Sequence, residues 1–270
     1  MEKLTLDDIK EYLETKYIGR NIIYLDKATS TNDIAKEMAE KGVPDGLIVI
    51  AEEQTKGRGR MGRKWITGKG EALAVSILLR PDIEPNLCPS ITSLIALSSV
   101  KAIRKVTGFD IMIKWPNDLV LNNRKLGGIL TEMTMEGMKV KYIIIGLGLN
   151  INQEDFDEDI KNIAVSLKSF SGENFNRRII LSEILNFFER DYEYFKRFGL
   201  SYFVEDIKKY SIIFGKEISV IDGYKSVDGT VVDIDKEGGL ILKTSDGNLK
   251  RIISGDVIME GLYNIYSNKI

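Results

Sequence analysis

The 270-residue chain contains no histidine and a single cysteine, Cys88. Without histidine, the protein cannot use a histidine-based catalytic triad, an imidazole general base or histidine metal ligands. One cysteine excludes a disulfide framework and a cysteine zinc cluster. A Cys88 nucleophile is also disfavoured, because the neighbouring sequence LCPS supplies no base. Any chemistry therefore depends on lysine, arginine, carboxylate, amide and backbone groups.

The chain also lacks a large net charge and a long hydrophobic run. Its formal net charge is −2, with 43% hydrophobic and 29% charged residues, which is typical of a soluble globular protein. No apolar run approaches the ~20 residues of a membrane span. The N-terminal sequence MEKLTLDDIKEYLE is typical of a charged helix and not of a signal peptide. We therefore expect a cytoplasmic protein that does not bind membranes.

The pattern of predicted helices and strands changes at about Ile213. Before it, strand-like runs such as LIVIAEE and VKYIIIGLGLN are mixed with segments of helical period. After it, short strands follow each other closely, separated by turns with Asp-Gly and Gly-Gly. The sequence predicts a larger unit over residues 1–212 and a small β-barrel over residues 213–270.

One predicted hairpin, within KWPNDLVLNNRKLGGIL, concentrates polar groups. If residues 122–123 form a two-residue turn, Asp118 lies opposite Gly127, and Lys125 shares their face. A glycine inside a strand suggests close approach by a ligand. The alternative is a solvated hairpin tip with an exposed ion pair. We prefer that alternative for Arg124 and leave both interpretations open for Lys125.

The stretch QTKGRGRMGRKW, from Gln54 to Trp65, is rich in glycine and in basic residues. Residues 57–62 match G-x-G-x-x-G, but no helix is predicted to follow, so a dinucleotide-binding turn is disfavoured. The cations repel one another until an anion lies among them, and backbone amides at glycines can add hydrogen bonds. We predict a mobile loop that binds a nucleotide phosphate. A flexible basic linker is the alternative.

Two shorter motifs have a structural and a functional interpretation. STN, residues 30–32, can cap a helix, with Ser30 and Asp33 forming a capping box. The same groups can also bind a small polar ligand. GLGLN, residues 146–150, is either a simple end of a strand or a place where bare backbone approaches a flat ligand.

Taken in order, STN, AEEQTKGRGRMGRKW, KWPNDL, RKLGGIL and GLGLN resemble the biotin–protein ligase family. The resemblance covers about residues 22 to 262. It implies an α+β catalytic domain with a class II synthetase-like mixed sheet flanked by helices, followed by an SH3-like β-barrel. It also implies the reaction. Biotin attacks the α-phosphate of ATP to give biotinyl-AMP and pyrophosphate, and a lysine of a biotin carboxyl carrier domain then displaces AMP.

The resemblance also implies residue roles, with ATP and Mg²⁺ as cofactors and biotin as substrate. The catalytic residues would be Lys125, Arg60 and Lys114, and Asp118 would bind Mg²⁺. The implied biotin-binding residues are Ser30, Thr31, Asn32, Gln54, Gly57, Arg58, Gly59, Arg60, Lys125, Gly128, Gly146 and Gly148. The implied nucleotide-binding residues are Arg58, Arg60, Arg63, Trp65, Lys114, Asn117, Asp118 and Asn150.

Further expectations concern partners and rival functions. Bifunctional family members carry a winged helix before the catalytic domain, but only about thirty residues precede Ser30, so we expect a ligase without sequence-specific DNA binding. A homodimer is possible, as is common in the family. One rival is a lipoate ligase, which would need an apolar dithiolane pocket in place of polar STN and Gln54. The other is a nucleic-acid-binding protein, disfavoured by the net acidity and by the absence of aromatic residues within GRGRMGRK.

Overall fold

The larger unit is built on a seven-stranded mixed sheet in the order β1-β2-β3-β7-β6-β5-β4. The computed structural model describes residues 3–65 and 67–263. Strands β1 and β2 are parallel, and every other neighbouring pair is antiparallel. The strands are β1 Asn21–Ala28, β2 Leu47–Gln54, β3 Ala72–Leu79, β4 Met112–Lys114, β5 Asp118–Leu121, β6 Arg124–Glu136 and β7 Lys139–Asn150. The predicted mixed sheet is confirmed.

Helices cover both faces of this sheet. They are α1 Leu6–Ile9, α2 Thr31–Glu40, α3 Cys88–Thr107, α4 Leu167–Ser171, α5 Arg177–Phe198 and α6 Val204–Tyr210. Helices α3 and α5 pack together over the main core, and α2 packs on β2, β3 and β7 around a smaller apolar cluster. Helix α3 ends at Gly108, whose φ of 73° closes the last turn in the left-handed conformation that glycine adopts freely. The main core therefore lies on one face of the sheet and the smaller apolar cluster on the other.

Helix α3 accounts for the most apolar part of the chain. Within the described residues, one helical stretch, Pro85–Thr107, is long and apolar enough to cross a membrane, which the sequence analysis did not expect. Its most apolar window is 67% buried inside the protein. The burial explains the composition, because a helix surrounded by core on most sides is apolar on most sides.

The smaller unit is a five-stranded antiparallel sheet in the order β11-β10-β9-β8-β12. Its strands are β8 Glu217–Asp222, β9 Lys225–Ile234, β10 Leu240–Lys243, β11 Leu249–Ile252 and β12 Asp256–Ile258. The predicted short strands are present, but over the described residues no ladder joins β11 to β12, so the sheet is open and not a closed barrel. Residues 264–270 of the predicted unit lie outside the described residues. The Trp115 indole donates a hydrogen bond to the Gly238 carbonyl at 3.0 Å, which joins the two units.

The β5–β6 hairpin differs from its predicted register. Residues 122–123 form the two-residue turn considered in the sequence analysis, and both are left-handed, with φ of 50° and 57°. A bulge then shifts the pairing, so that Asp118 lies opposite Gly128 and not Gly127. The cause is a third segment, because the Lys125 backbone exchanges hydrogen bonds with residues 163–165. Leu126, the extra residue of the bulge, is fully buried in the core.

A buried ion pair connects α5 to the sheet. The Arg177 guanidinium, at the start of α5, donates to both carboxylate oxygens of Glu52 on β2, at 2.8 and 3.2 Å. Arg177 also donates to the Ala72 carbonyl at 3.0 Å, and the Tyr24 hydroxyl donates to Glu52 at 2.8 Å. Both charged side chains are about 1% exposed. Each charge therefore depends on the other for compensation.

We predict that Arg177→Met lowers the free energy of unfolding by about 3–5 kcal/mol, because Glu52 is left as an uncompensated buried charge. The double variant Glu52→Gln/Arg177→Met should recover most of that loss. Urea unfolding measures both. Lys10→Met, which removes an exposed ion pair with Asp7, is the control and should change stability little. A loss below about 1 kcal/mol in Arg177→Met would contradict the prediction.

Candidate active site

Three glycines on two neighbouring strands form a floor of bare backbone. Gly128 on β6 pairs with Gly148 on β7, and Gly146 lies two residues before Gly148. A Cβ atom on Gly146 would lie 2.5 Å from the Asn32 amide oxygen. A Cβ atom on Gly148 would lie 2.3 Å from the Trp65 indole. The missing side chains therefore let other groups lie directly on the sheet.

The start of α2 supplies a buried polar network beside this floor. Residues 30–32 are 3–6% exposed. The Thr31 backbone amide and hydroxyl both donate to the Gln54 side-chain oxygen, at 2.8 and 3.1 Å. The Ser76 hydroxyl lies 2.7 Å from the Thr31 hydroxyl and 2.5 Å from the Asn32 amide oxygen. Asn32 donates to Glu132 at 2.6 Å.

Sequence reasoning did not identify Ser76 and Glu132. Ser76 is the polar residue in the apolar strand ALAVSILL and is fully buried. Glu132 lies four residues after Gly128 on β6, so the period of two places both on the same face. A polar residue within an apolar strand was the available signal for Ser76.

The predicted capping box at the start of α2 is wrong. Ser30 is the N-cap residue, but its side chain makes no capping hydrogen bond. Asp33, the expected partner, instead receives a bidentate contact from Arg58, with one N–O distance of 2.8 Å. The hydrogen bond from Arg58 lowers the pKa of the Asp33 carboxyl below its ordinary value. A tertiary ion pair has thus replaced the local cap.

The basic loop forms a small hairpin in the described part of its length. The Gly59 amide donates to the Arg63 carbonyl at 2.7 Å, and the Trp65 amide donates to the Gly57 carbonyl at 2.9 Å. A Cβ on Gly57 would lie 2.4 Å from the Trp65 carbonyl oxygen, so this position requires glycine. A single 3-10 turn, Arg60–Gly62, forms the tip, and no helix follows it among the described residues before β3, as predicted. Ile66 lies outside the described residues.

Three arginines of the loop contact polar groups on three different segments of the chain. Arg58 pairs with Asp33, as described above. Arg60 donates to the Asn117 amide oxygen at 3.1 Å. Arg63 pairs with Asp256 on β12 of the smaller sheet. The loop is therefore held in this conformation by contacts that an incoming anion would have to replace or share.

Two lysines and one carboxylate lie at the other end of the glycine floor. The Lys125 ammonium is 2.6 Å from one oxygen of Asp118. A Cβ on Gly128 would lie 3.3 Å from Lys125 Cε, so Gly128, and not Gly127, shares the lysine face. Lys114, at the end of β4, is 8% exposed. Burial lowers the pKa of Lys114 to about 8, although nearby Asp118 acts in the opposite direction.

The two predicted asparagines are already bound by the protein. Asn117 donates to the Ile129 carbonyl at 3.0 Å. Asn150, 5% exposed, donates to the Val165 carbonyl at 3.2 Å and accepts from Gln153 at 3.0 Å. These contacts fix both side chains at the border of the site, and they leave the predicted contact of Asn150 with adenine a prediction.

A magnesium ion would find one suitable protein ligand here. Over residues 3–65 and 67–263, no three histidine, cysteine or acidic side chains lie together as a metal site. Asp118 contacts Lys125, and it raises the pKa of Lys114 more than Asp256 does. Mg²⁺ is commonly bound by one or two carboxylates together with substrate phosphates. The residues present therefore fit Mg²⁺ only in company with a phosphate ligand.

Comparison with known proteins decides the family. The model of the biotin/lipoate A/B protein ligase family matches residues 24–150, and that of the biotin protein ligase C terminal domain matches residues 213–259. The bifunctional ligase/repressor BirA of Bacillus spizizenii is 37% identical over 257 residues, covering 94% of this chain and 79% of that protein. The chain belongs to the biotin protein ligase family. The resemblance inferred from the five motifs is confirmed.

Two further relatives agree with this assignment. The biotin–[acetyl-CoA-carboxylase] ligase of Mycobacterium tuberculosis is 31% identical to our ligase over 237 residues, covering 85% of each chain. Biotin protein ligase from Aquifex aeolicus, solved in complex with biotin and ATP, superposes with a TM-score of 0.75 at 29% identity. That comparison covers 88% of the ligase and 98% of the solved chain. The alignment therefore spans both units of the fold.

The depressed pKa of Lys114 makes a testable contribution to stability. Between pH 8 and 10.5 the unfolded chain binds more protons at this residue than the folded ligase, so its contribution to stability rises with pH in that window. We predict that the unfolding free energy of the wild type, minus that of Lys114→Met, increases by roughly 2–3 kcal/mol between pH 7 and pH 10. Urea unfolding across this range measures the difference, and a flat or falling difference would contradict it.

Proposed function

We propose that the protein activates biotin with ATP to form biotinyl-AMP and then transfers biotin to a lysine of a biotin carboxyl carrier domain. The observation that carries the proposal is the glycine floor, with a buried polar network at one end and lysines at the other. Membership of the biotin protein ligase family and the names of the relatives support it. Incubation with biotin, Mg-ATP and a carrier domain, followed by mass spectrometry for the biotin adduct on the carrier, tests it.

The polar network around residues 30–32 suits the ureido ring of biotin. That ring has two N–H donors and a carbonyl acceptor, while Thr31, Asn32 and Gln54 offer hydroxyl and amide groups. The dithiolane ring of lipoate has no such groups, so it could not exchange hydrogen bonds with this network. Biotin is therefore favoured over lipoate. Replacing biotin with lipoate in the same incubation should give no carrier adduct.

The cations suit the adenylation step. A biotin carboxylate oxygen bonds to the α-phosphorus of ATP while the bond from that phosphorus to pyrophosphate breaks. Two anions must approach each other, so Lys125, Lys114 and Arg60 are assigned to neutralise them. Arg58, Arg63 and Trp65 are assigned to the nucleotide side. Asp118 would hold Mg²⁺ together with the ATP phosphates, and the ion would supply further neutralising charge.

The transfer step needs no nucleophile from this chain. The amine of the carrier lysine attacks the carbonyl carbon of the mixed anhydride, AMP leaves with the bonding electrons, and the amine loses a proton. The absence of histidine is compatible with this chemistry, because positioning and electrostatic stabilisation supply most of the acceleration. Closure of the basic loop that follows Gln54 would shield the anhydride from water.

We predict that Lys125→Met lowers biotinyl-AMP formation about 10²–10³-fold, equivalent to roughly 2–4 kcal/mol, because a charge-assisted contact in the transition state is lost. The neighbouring Arg124→Met is the matched control and should retain near-wild-type activity. Pyrophosphate release measures both, and circular dichroism checks folding. Adenylation by Lys125→Met within a factor of about three of wild type would remove Lys125 from the catalytic set.

The loop of residues 56–70 is predicted to become more ordered when biotin and nucleotide are both bound, because its glycines give the free loop high backbone entropy and a phosphate can accept charge-assisted hydrogen bonds from several of its arginines. Trypsin should cut the free protein within this loop. Biotin with ATP should slow that cut markedly, whereas ATP with a biotin analogue lacking the ureido group should not. Equal cleavage rates under all conditions would identify the loop as a linker.

We also infer the partners and compartment of the enzyme. The acceptor would be a carrier domain of a biotin-dependent carboxylase, the compartment the cytoplasm, and the assembly a homodimer. The net charge of −2 supports the absence of sequence-specific DNA binding. We predict that DNA footprinting at physiological salt gives no protected sequence, and a specific footprint would overturn this inference.

A further inference from the structure

The chain returns from the smaller sheet to the candidate active site after β12. Leu262 is 1% exposed and packs against Val120 of β5 in a separate apolar cluster. The next residue, Tyr263, donates its backbone amide to the Asn123 carbonyl in the β5–β6 turn, at 2.8 Å. Tyr263 has a φ of 63°, a left-handed conformation that is uncommon outside glycine and that fixes the direction of the side chain. This short segment is therefore anchored at a defined place on the larger unit.

The Tyr263 side chain reaches two charged groups of the site. Its hydroxyl donates a hydrogen bond of 2.7 Å to one oxygen of Asp118, while the other oxygen faces Lys125 at 2.6 Å. The Lys114 ammonium lies 4.2 Å from the centre of the Tyr263 ring, within the range of a cation–π contact. Tyr263 is 7% exposed, so these contacts are made with little water present. Motif-based reading missed this residue, because it lies outside every motif.

We propose that Tyr263 is a positioning residue for the nucleotide side of the site, acting through Asp118 and Lys114. The proposal rests on the adenylation reaction proposed above. When biotin and ATP bind, the Lys125 ammonium must weaken or break its ion pair with Asp118 in order to contact the ligand anions. The Tyr263 hydroxyl then remains as a donor to Asp118, so this buried carboxylate keeps a partner and its orientation. The Tyr263 ring holds the Lys114 ammonium beside Asp118 through the cation–π contact.

The surrounding charges explain why an aromatic hydroxyl suits this place. The carboxylates Asp118 and Asp256 raise the pKa of Lys114. The cations Lys125 and Arg63 lower it. A further carboxylate would compete with ATP phosphates, and a further cation would repel Lys114 and Lys125. A tyrosine donates a hydrogen bond and offers a negative ring face without adding a charge. Tyr263 therefore orients the charged groups without changing the net positive charge that the site presents to the nucleotide.

The test compares two substitutions in the full chain with a matched control. Tyr263→Phe removes the hydroxyl and keeps the ring, and Tyr263→Leu removes both. Tyr224→Phe is the control, because Tyr224 is fully exposed in the β8–β9 turn. Pyrophosphate release gives KM and kcat for ATP. Calorimetry gives the Kd of Mg-ATP without biotin and the Kd of biotin without nucleotide. The melting temperature reports stability.

We expect Tyr263→Phe to lower kcat/KM for ATP about tenfold, equivalent to about 1.4 kcal/mol, and to weaken Mg-ATP binding. Biotin affinity should stay within about twofold of wild type, and Tyr263→Leu should have a larger effect on ATP than Tyr263→Phe. Tyr224→Phe should match the wild type. If Tyr263→Leu melts at a much lower temperature, the decision rests on Tyr263→Phe, which preserves packing.

Two results would overturn the role of Tyr263. The first is a kcat/KM for ATP and a Kd of Mg-ATP within about twofold of wild type in Tyr263→Phe. The second is an equal loss of biotin and ATP affinity, which would indicate a general structural role. Failure of the wild type to form biotinyl-AMP would instead reject the proposed function. In that case, the calorimetric Kd of Mg-ATP for Tyr263→Phe and for the wild type would still decide the role of Tyr263.

Discussion

The candidate active site depends on one steric constraint, the absence of side chains at three neighbouring positions of the central sheet. Asn32 and Trp65 can lie on the backbone of Gly146 and Gly148 only because no Cβ is present there. Gly128 extends the bare patch towards Lys125. Side chains at these positions would fill the space, so the polar end and the cationic end of the site could not face one flat ligand. The remaining features are arranged around this floor.

Charge compensation is the second organising feature. In this structure the cations of the site contact protein groups: Arg58 with Asp33, Arg63 with Asp256, and Lys125 with Asp118. Such pairs limit the cost of keeping cations close together without a ligand. They also mean that binding an anion exchanges one partner for another. The net gain from each cation is therefore smaller than a new salt bridge would suggest, and the positioning of the partners that remain matters more.

The smaller sheet takes part in this arrangement. Asp256 on β12 holds Arg63, the Gly238 carbonyl accepts from Trp115, and Tyr263 reaches Asp118. These contacts come from three separate places in the second unit. The site is thus assembled from both units, although the sequence motifs all lie in the first. This explains why reading the motifs alone gave the smaller unit no role in the chemistry.

The sequence by itself determined the features that depend on short-range order. The five motifs in order identified the family, residues 122–123 suggested a two-residue turn, and Gly108 marked the end of α3. The tertiary structure alone decided the features that depend on distant segments. The bulge at Leu126 accompanies hydrogen bonds between Lys125 and residues 163–165. Asp33 pairs with Arg58 and does not cap its own helix. Tyr263 bonds to Asp118 across 145 positions of the chain. Local patterns encode the backbone conformation of an element and the face on which each side chain lies. The partner of a charged side chain depends instead on which other elements pack against that face.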